Sequence, residues 1–424
     1  MTLIAARVPD PAVRRLTATL YGYAFLSDLV LLYPVYALLF ADTGLSVGQI
    51  SSLFVLWSAA AILLEVPSGA WADAVSRRLL LRLAPLVTAA GFALWVLFPS
   101  YPSFAIGFLL WGAGGALVSG ALEALVFTEL DRLGAADRYA RILGRARTAG
   151  VLGVLVSGGL AGPALAAGGY PAVGAASVLA CVLAAGVAAR FPEHRPPTAV
   201  AARTSAAPEA DDADELGWWD MLRAGVTQAR THPPVRAAVL LVAVVTADWG
   251  ALDEYTPLLA RDTGIGAQAV PLLLLLLWAG VTVGGLLAPA GERLTGRGYA
   301  GLLAVVAVAL AGGALVAHPA GFLLLGVAFG AAQLATVLAD ARLQASITGS
   351  SRATVTSLAG MATDVLVIVT YVGYGLVSTV AGNAVAFAVV AGPYLIVALA
   401  LLARHRRPVV SARRRGRPTG HPHG

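Results

Sequence analysis

Gly69-Ala70-Trp71-Ala72-Asp73-Ala74-Val75-Ser76-Arg77-Arg78 lies between two apolar runs, 47–68 and 79–98. Each run is long enough to cross a bilayer, which takes about 20 apolar residues. A glycine, an aspartate four residues on and an arginine four residues later mark a tight turn just outside the hydrocarbon. There the carboxylate and the guanidinium can pair with groups on neighbouring helix ends.

Apolar runs of this kind recur along the whole chain. Six fall at 17–41, 47–68, 79–98, 102–130, 139–166 and 170–190, and six more at 234–260, 267–290, 298–317, 320–341, 352–380 and 382–403. They are continuous rather than alternating, which excludes the strands of a membrane barrel. The composition agrees: 58% of the 424 residues are hydrophobic and 12% charged, against about 25% charged in a soluble domain. The 47 Gly and 23 Pro suit membrane helices, whose neighbours re-satisfy broken backbone bonds. The sequence therefore predicts an all-α membrane protein of twelve transmembrane helices.

Arginine in the short loops orients the spans. Arg77, Arg78 and Arg82 follow the second span, and Arg132, Arg138 and Arg141 surround the loop after the fourth. Arg293 and Arg297 follow the eighth, and Arg342 and Arg352 flank the loop after the tenth. The intervening loops share one basic residue, Arg261. Both termini are accordingly expected on the cytoplasmic side of the cytoplasmic membrane.

The segment 191–233 interrupts the pattern with Pro196, Pro197 and Pro208 and the acidic cluster Asp211, Asp212, Asp214 and Glu215. It reads as a cytoplasmic linker, with an amphipathic helix over 216–230 that turns Trp218, Trp219 and Leu222 to the membrane surface. The expected domains are 1–190, a six-helix bundle; 191–233, the linker; 234–404, a second six-helix bundle; and 405–424, a basic tail. The tail accounts for part of the net charge of +6. It reads as a stop signal and an anchor to anionic lipid, not as a nucleic-acid site.

The halves echo each other. Asp28 and Asp42-Thr43-Gly44-Leu45 in the first span match Asp248 and Asp262-Thr263-Gly264-Ile265 in the seventh at a constant offset of 220. Glu292 and Arg297 after the eighth span repeat Asp73 and Arg77 more weakly.

Gly69, Asp73, Arg77 and Arg78 resemble the loop between the second and third helices of the major facilitator superfamily, with Ala74 and Ser76 departing from its pattern. The resemblance implies two pseudo-symmetric six-helix bundles with a substrate path between them near the midplane. It also implies that Asp73 helps lock the outward-facing state. Gly158-Gly159 and Gly162-Pro163, followed by Gly168-Gly169, resemble the Gly-Pro motif of the family's twelve-span drug/proton antiporters. There the glycines allow close packing and the proline bends the extracellular end. The fourth span, around Phe108–Gly114, lacks the arginine that such antiporters often carry.

Ionisable groups at membrane depth are costly and are functional candidates. At 1.5 Å per residue, Asp28, Asp248 and Asp364 lie about 16, 20 and 18 Å into their spans, near the midplane. Burial favours a neutral carboxyl, so such groups can carry a proton or pair with a cation. Asp28, beside Ser27 and near Tyr21, Tyr23, Tyr33 and Tyr36, is the first candidate. Glu123 and Arg147, on adjacent antiparallel spans, are expected to form a buried pair, and Glu129 and Arg141 another. Asp253 and Glu254 are expected nearer the outer surface, in a solvated vestibule. Glu65 precedes Pro67 in the cytoplasmic gate region, and His318 reads as a solvated loop residue.

The sequence holds no phosphate-binding Gly-x4-Gly-Lys-Ser/Thr and no lysine, so ATP-driven transport by this chain alone is not expected. Cys181 stands alone, and no metal-ligand cluster, nucleophile elbow or cleavable signal peptide is evident. The expectation is a secondary active carrier without cofactor, no enzyme. Its partners would be a small-molecule substrate, protons and the bilayer, with a monomer sufficing. Proton-coupled efflux of an amphipathic or cationic compound is the first reading. A nutrient importer or uniporter, or a non-transporting receptor or scaffold, are the alternatives.

Overall fold

The structure is a computed structural model that describes residues 11–194, 227, 232–347 and 352–406, with the backbone alone at 65–74, 352–354 and 404–406. The expected amphipathic helix over 216–230 and most of the basic tail lie outside the described residues.

The first half comprises α1 (Pro11–Asp28), α2 (Tyr36–Asp42), α3 (Val47–Ala74), α4 (Arg77–Leu97), α5 (Tyr101–Val118), α6 (Ala121–Arg132) and α7 (Tyr139–Ala188). The second comprises α8 (Pro233–Asp253), α9 (Thr256–Asp262), α10 (Val270–Leu286), α11 (Ala288–Gly291), α12 (Gly296–Leu315), α13 (Gly321–Ser346), α14 (Arg352–Val390) and α15 (Gly392–Arg406). Among the described residues, eight helical stretches are long and apolar enough to cross a membrane. Two of them, 136–188 and 355–403, are about twice the length of one crossing. With the broken first span and the 17-residue α10, they make up twelve crossings.

The two double-length helices turn at glycine. Gly169 has φ +63° and Gly382 φ +82°, a region that residues with a side chain rarely adopt. These glycines mark the joins between the fifth and sixth spans and between the eleventh and twelfth. Pro163 lies inside α7 without interrupting it; the non-helical angles fall at Gly168 and Gly169.

The loop that opens the sequence argument is shorter than a turn of four residues. α3 continues to Ala74 and α4 begins at Arg77, which leaves Val75 and Ser76 between them. Ser76 caps α4, its Oγ accepting from the Leu79 amide at 3.1 Å. Glu193, just after the sixth span, accepts from Ser76 Oγ at 2.5 Å and from the Arg77 amide at 2.8 Å.

Packing inside each half follows residue size. In the first, Trp95 sits at the centre of an aromatic cluster with Tyr36, Phe40, Phe92, Phe108 and Trp111, its Nε1 donating to the Phe104 carbonyl at 3.1 Å. In the second, Gly280 and Gly284 of α10 lie directly against Gly326 and Gly330 of α13. This is the small-residue contact by which membrane helices approach closely. Large apolar side chains such as Leu63, Leu286 and Val380 are exposed on the outside, where lipid takes the place of water.

Candidate functional site

Both halves begin with a broken helix, over residues 29–35 in the first and 254–255 in the second, and the helices resume at equivalent residues. α2 (Tyr36–Asp42) and α9 (Thr256–Asp262) match residue for residue at the offset of 220. Pro34 precedes α2, and Pro257 opens α9; neither can donate a backbone hydrogen bond. The breaks bring Tyr33 and Pro34 of one half and Asp253 and Glu254 of the other to the space between them.

That space holds two adjoining cavities. One, of about 270 Å³, is lined by Tyr33, Tyr36, Trp57, Trp278, Asp253 and Glu254, among others. The second, of about 500 Å³, shares Trp57 and Glu254 and adds Trp111, Tyr371 and Asp364. Three carboxylates and six aromatic rings thus face the interface between the halves. No arginine or histidine is among the described residues that line either cavity. Asp253 and Glu254 therefore sit at the centre of the interface instead of in an outer vestibule. The break in the seventh span shifts them inward, and only the position of Pro257 hints at it.

One end of the interface is closed, the end that carries the loops 42–46 and 261–266. Tyr255 bonds Ser51 Oγ at 2.7 Å, stacks on Tyr374 at 3.7 Å and meets Phe54 edge-on. Gly158 and Gly162 of α7 face α10 and its approach: a methyl group at Gly158 would meet Leu275 at 2.8 Å, and one at Gly162 would overlap the Gln268 carbonyl. Arg261 Nη1 donates to Asp42 Oδ1 at 2.6 Å across the halves. The lining residues Ser58, Ala61, Ile62 and Asp364 carry the larger cavity towards the end with the arginine-rich loops.

The closed end repeats in detail. Tyr170, directly after Gly169, donates to Asp42 at 2.5 Å. Asn383, directly after Gly382, donates to Asp262 at 2.7 Å. In each half, the aspartate that ends the first span is held by the residue that starts the sixth.

The remaining expected residues are dispersed. Asp28 lines neither central cavity. Its carboxylate lies against α7, where a methyl group at Gly150 would overlap Oδ2. Asp248 is 6% exposed and accepts from Thr370 Oγ1 at 3.0 Å, on the side of α14 away from the interface. Glu123 and Arg147 do approach, at 3.8 Å, but with 53% and 76% of their side chains exposed; the expected buried pair is a surface pair. Glu129 pairs with Arg132 at 3.2 Å and with the His194 ring and amide at 3.0 and 2.7 Å, not with Arg141. The sixth span ends close enough to bring His194 there, which spacing along the fourth and fifth spans does not reveal. Gly69 and Asp73 are in the last turns of α3, where only the backbone is described. Arg77 donates to Thr128 Oγ1 at 3.2 Å, and Arg78 is exposed. His318 lies in an exposed turn, accepting from the Ala320 amide at 3.1 Å.

A family model described as Major Facilitator Superfamily matches residues 19–337. No curated protein matches the sequence. Similar solved structures include nucleoside transporter NupG, at 12% identity over 94% of this chain and all of that one, with a TM-score of 0.70. A D-xylose-proton symporter matches at 16% identity over 92% of this chain and 96% of that one, with a TM-score of 0.64. A bacterial homolog of the human lysosomal transporter Spinster, inward-facing and unoccupied, matches at 16% identity over 93% and 97%, with a TM-score of 0.66. At these identities the likeness concerns the fold.

Proposed function

Because the chain belongs to the major facilitator superfamily, a family of transporters rather than enzymes, we propose that it carries a small amphipathic cation out of the cell in exchange for protons. The observation that carries this reading is the interface cavity, where Asp253 and Glu254 are among the lining residues and no arginine or histidine is among the described ones. Ionised carboxylates withdrawn from water are unfavourable unless neutralised. A bound cation neutralises them in one state and protons in the other, which is the exchange an antiporter performs. The aromatic rings of Tyr33, Trp57, Trp111 and Trp278 supply faces for the cation and for its apolar body.

With the arginine-rich loops read as cytoplasmic, the end closed around Tyr255 and the Asp42–Arg261 pair is the outer one, which supports reading this state as inward-facing. Alternating access moves the seal from that end to the other. The Gly158 and Gly162 contacts then act as the close-packed surface that parts when the outer end opens. A monomer in the cytoplasmic membrane suffices for this cycle.

The test is the pH inside proteoliposomes when ethidium is added. Ethidium is a permanent cation and moves no proton itself. Antiport makes the lumen alkaline as ethidium enters, and Glu254→Gln weakens both signals at ethidium concentrations below the KM of the unmodified chain. A lumen that turns acidic would indicate symport on the same fold, and ethidium uptake without a pH change a uniporter; either would overturn the exchange. Absence of uptake of any cation would overturn the substrate class.

A further inference from the structure

A third cavity, of about 300 Å³, lies between α8, α14 and α15 on the far side of α14 from the interface. The helical period separates the two faces: Asp364, Val367 and Tyr371 line the central cavity, whereas Leu366, Val369, Thr370 and Gly373 line this one. Two of its lining residues, Val369 and Val389, are 57% and 53% exposed on the outer, lipid-covered surface. The cavity thus opens towards the bilayer.

Its lining is apolar apart from Asp248, Thr370 and Tyr374. Asp248 is 6% exposed, and its Oδ2 has no hydrogen-bond partner. Oδ1 accepts from Thr370 Oγ1 at 3.0 Å, but the same hydroxyl also lies 2.9 Å from the Leu366 carbonyl. One hydroxyl hydrogen serves only one of them, so the carboxyl has at most one donor for two oxygens. A carboxylate whose role is to hold helices together is normally satisfied at both oxygens. This one lacks donors and borders an open apolar space.

We propose that this cavity is a membrane-side binding site for a compact lipophilic ammonium ion. Its N–H groups supply the donors that Asp248 lacks, and its apolar body fills the space between Val244, Val369 and Val389. Turning the carboxyl about its soft terminal torsion presents Oδ2 to the cavity. The two charges neutralise each other, which permits the ligand to lie at this depth. Asp248 is about 22 Å along α8, beyond the reach of lipid headgroups, so the ligand is a solute dissolved in the bilayer. The volume is at the small end of ligand pockets, about 300–1,000 Å³, and suits a single ring on a short amine chain. The inference does not rest on the exchange proposed for the central cavity.

The experiment is equilibrium binding of tritiated 4-phenylbutylamine to the full chain in nanodiscs, with empty nanodiscs giving the bilayer background. The background variant carries Asp253→Asn, Glu254→Gln and Asp364→Asn, so that the central cavity has no carboxylate to offer. One saturable site is expected there, with the neutral 4-phenylbutan-1-ol competing at least about tenfold more weakly. Adding Asp248→Asn abolishes it. So does Val369→Trp, which obstructs the mouth from the lipid side and leaves the buried carboxyl untouched. Binding that survives both changes, equal competition by the alcohol, or loss of binding in the background variant itself would each overturn the proposal. The last outcome would assign the amine to the central cavity and leave that reading intact.

Discussion

Arg261 and Asp42 join the two halves through an ion pair of 2.6 Å at the closed end. Asp42 is also held by Tyr170 within its own half. The equivalent aspartate, Asp262, has only the in-half partner Asn383 among the contacts described, and the residue equivalent to Arg261 is Ala41. The repeat thus supplies two matching anchors, and a single arginine on one side makes the latch.

Breaking that latch favours the outward-open state. Arg261 and Asp42 are 36% and 47% exposed, so solvent screens the pair and its contribution is roughly 0.2–1 kcal/mol. Arg261→Gln is expected to raise the outward-open population by no more than about fivefold. Spin labels at Ser46 and Gly266, both exposed, measure it as a growing longer-distance component. Raising salt to about 1 M acts in the same direction on the unmodified chain. A distance distribution that neither change alters would mean that the pair does not contribute to the seal.

Glu254→Gln keeps the side chain's shape and removes one charge from the point where the two central cavities meet. The KM for ethidium is expected to rise about tenfold or more, equivalent to ~1.4 kcal/mol. Asp28→Asn, which lines neither cavity, is expected to leave that KM within about twofold and to act on folding through the α1–α7 contact at Gly150. The reverse ranking in a transport assay would return the substrate role to Asp28.

That contrast shows what the sequence conveys and what it does not. Span number, arginine asymmetry and the repeat from Asp28 to Ile265 are properties of the linear chain, and each follows from the bilayer acting as a solvent. Depth along a span is also linear, and it places Asp28, Asp248 and Asp364 at similar levels. Facing is not linear. Three acids at one depth look alike until helix rotation and the break at residues 254–255 are known. Asp364 then faces the interface, Asp28 faces α7, and Asp248 faces a cavity on the lipid side. Glu193 and His194 escaped notice for a related reason. They belong to a segment read as linker, and only the return of the sixth span brings them to Ser76 and Glu129.

The Ser76 cap is expected to support the start of α4. Ser76→Ala removes the acceptor for the Leu79 amide and the donor to Glu193, a loss of about 1 kcal/mol for an N-cap. Glu193→Gln keeps an acceptor for the Arg77 amide but removes a negative charge from the helix N-terminus, worth about 0.3–1 kcal/mol. Both variants should lower the thermal unfolding midpoint followed by intrinsic tryptophan fluorescence, with Ser76→Ala lower or equal. If Glu193→Gln alone had the larger effect, the charge rather than the cap would be the main support.

The glycine contact between α10 and α13 separates close packing from glycine's general cost in a helix. A methyl group at Gly284 would overlap the Gly330 carbonyl oxygen and lie 2.8 Å from its carbon, all of it backbone that has no rotamer with which to yield. At the neighbouring Gly285 the same methyl group meets nothing within 4 Å. Gly284→Ala is therefore expected to force the two helices apart and destabilise the second half by about 1–3 kcal/mol. Gly285→Ala reduces the freedom of the unfolded chain at no steric cost and should be neutral or stabilising by up to about 1 kcal/mol. Thermal unfolding of the two variants in the same detergent makes the comparison. If both substitutions stabilised, α10 and α13 would be separable without loss, and the glycine pairs would not be the contact that sets their distance.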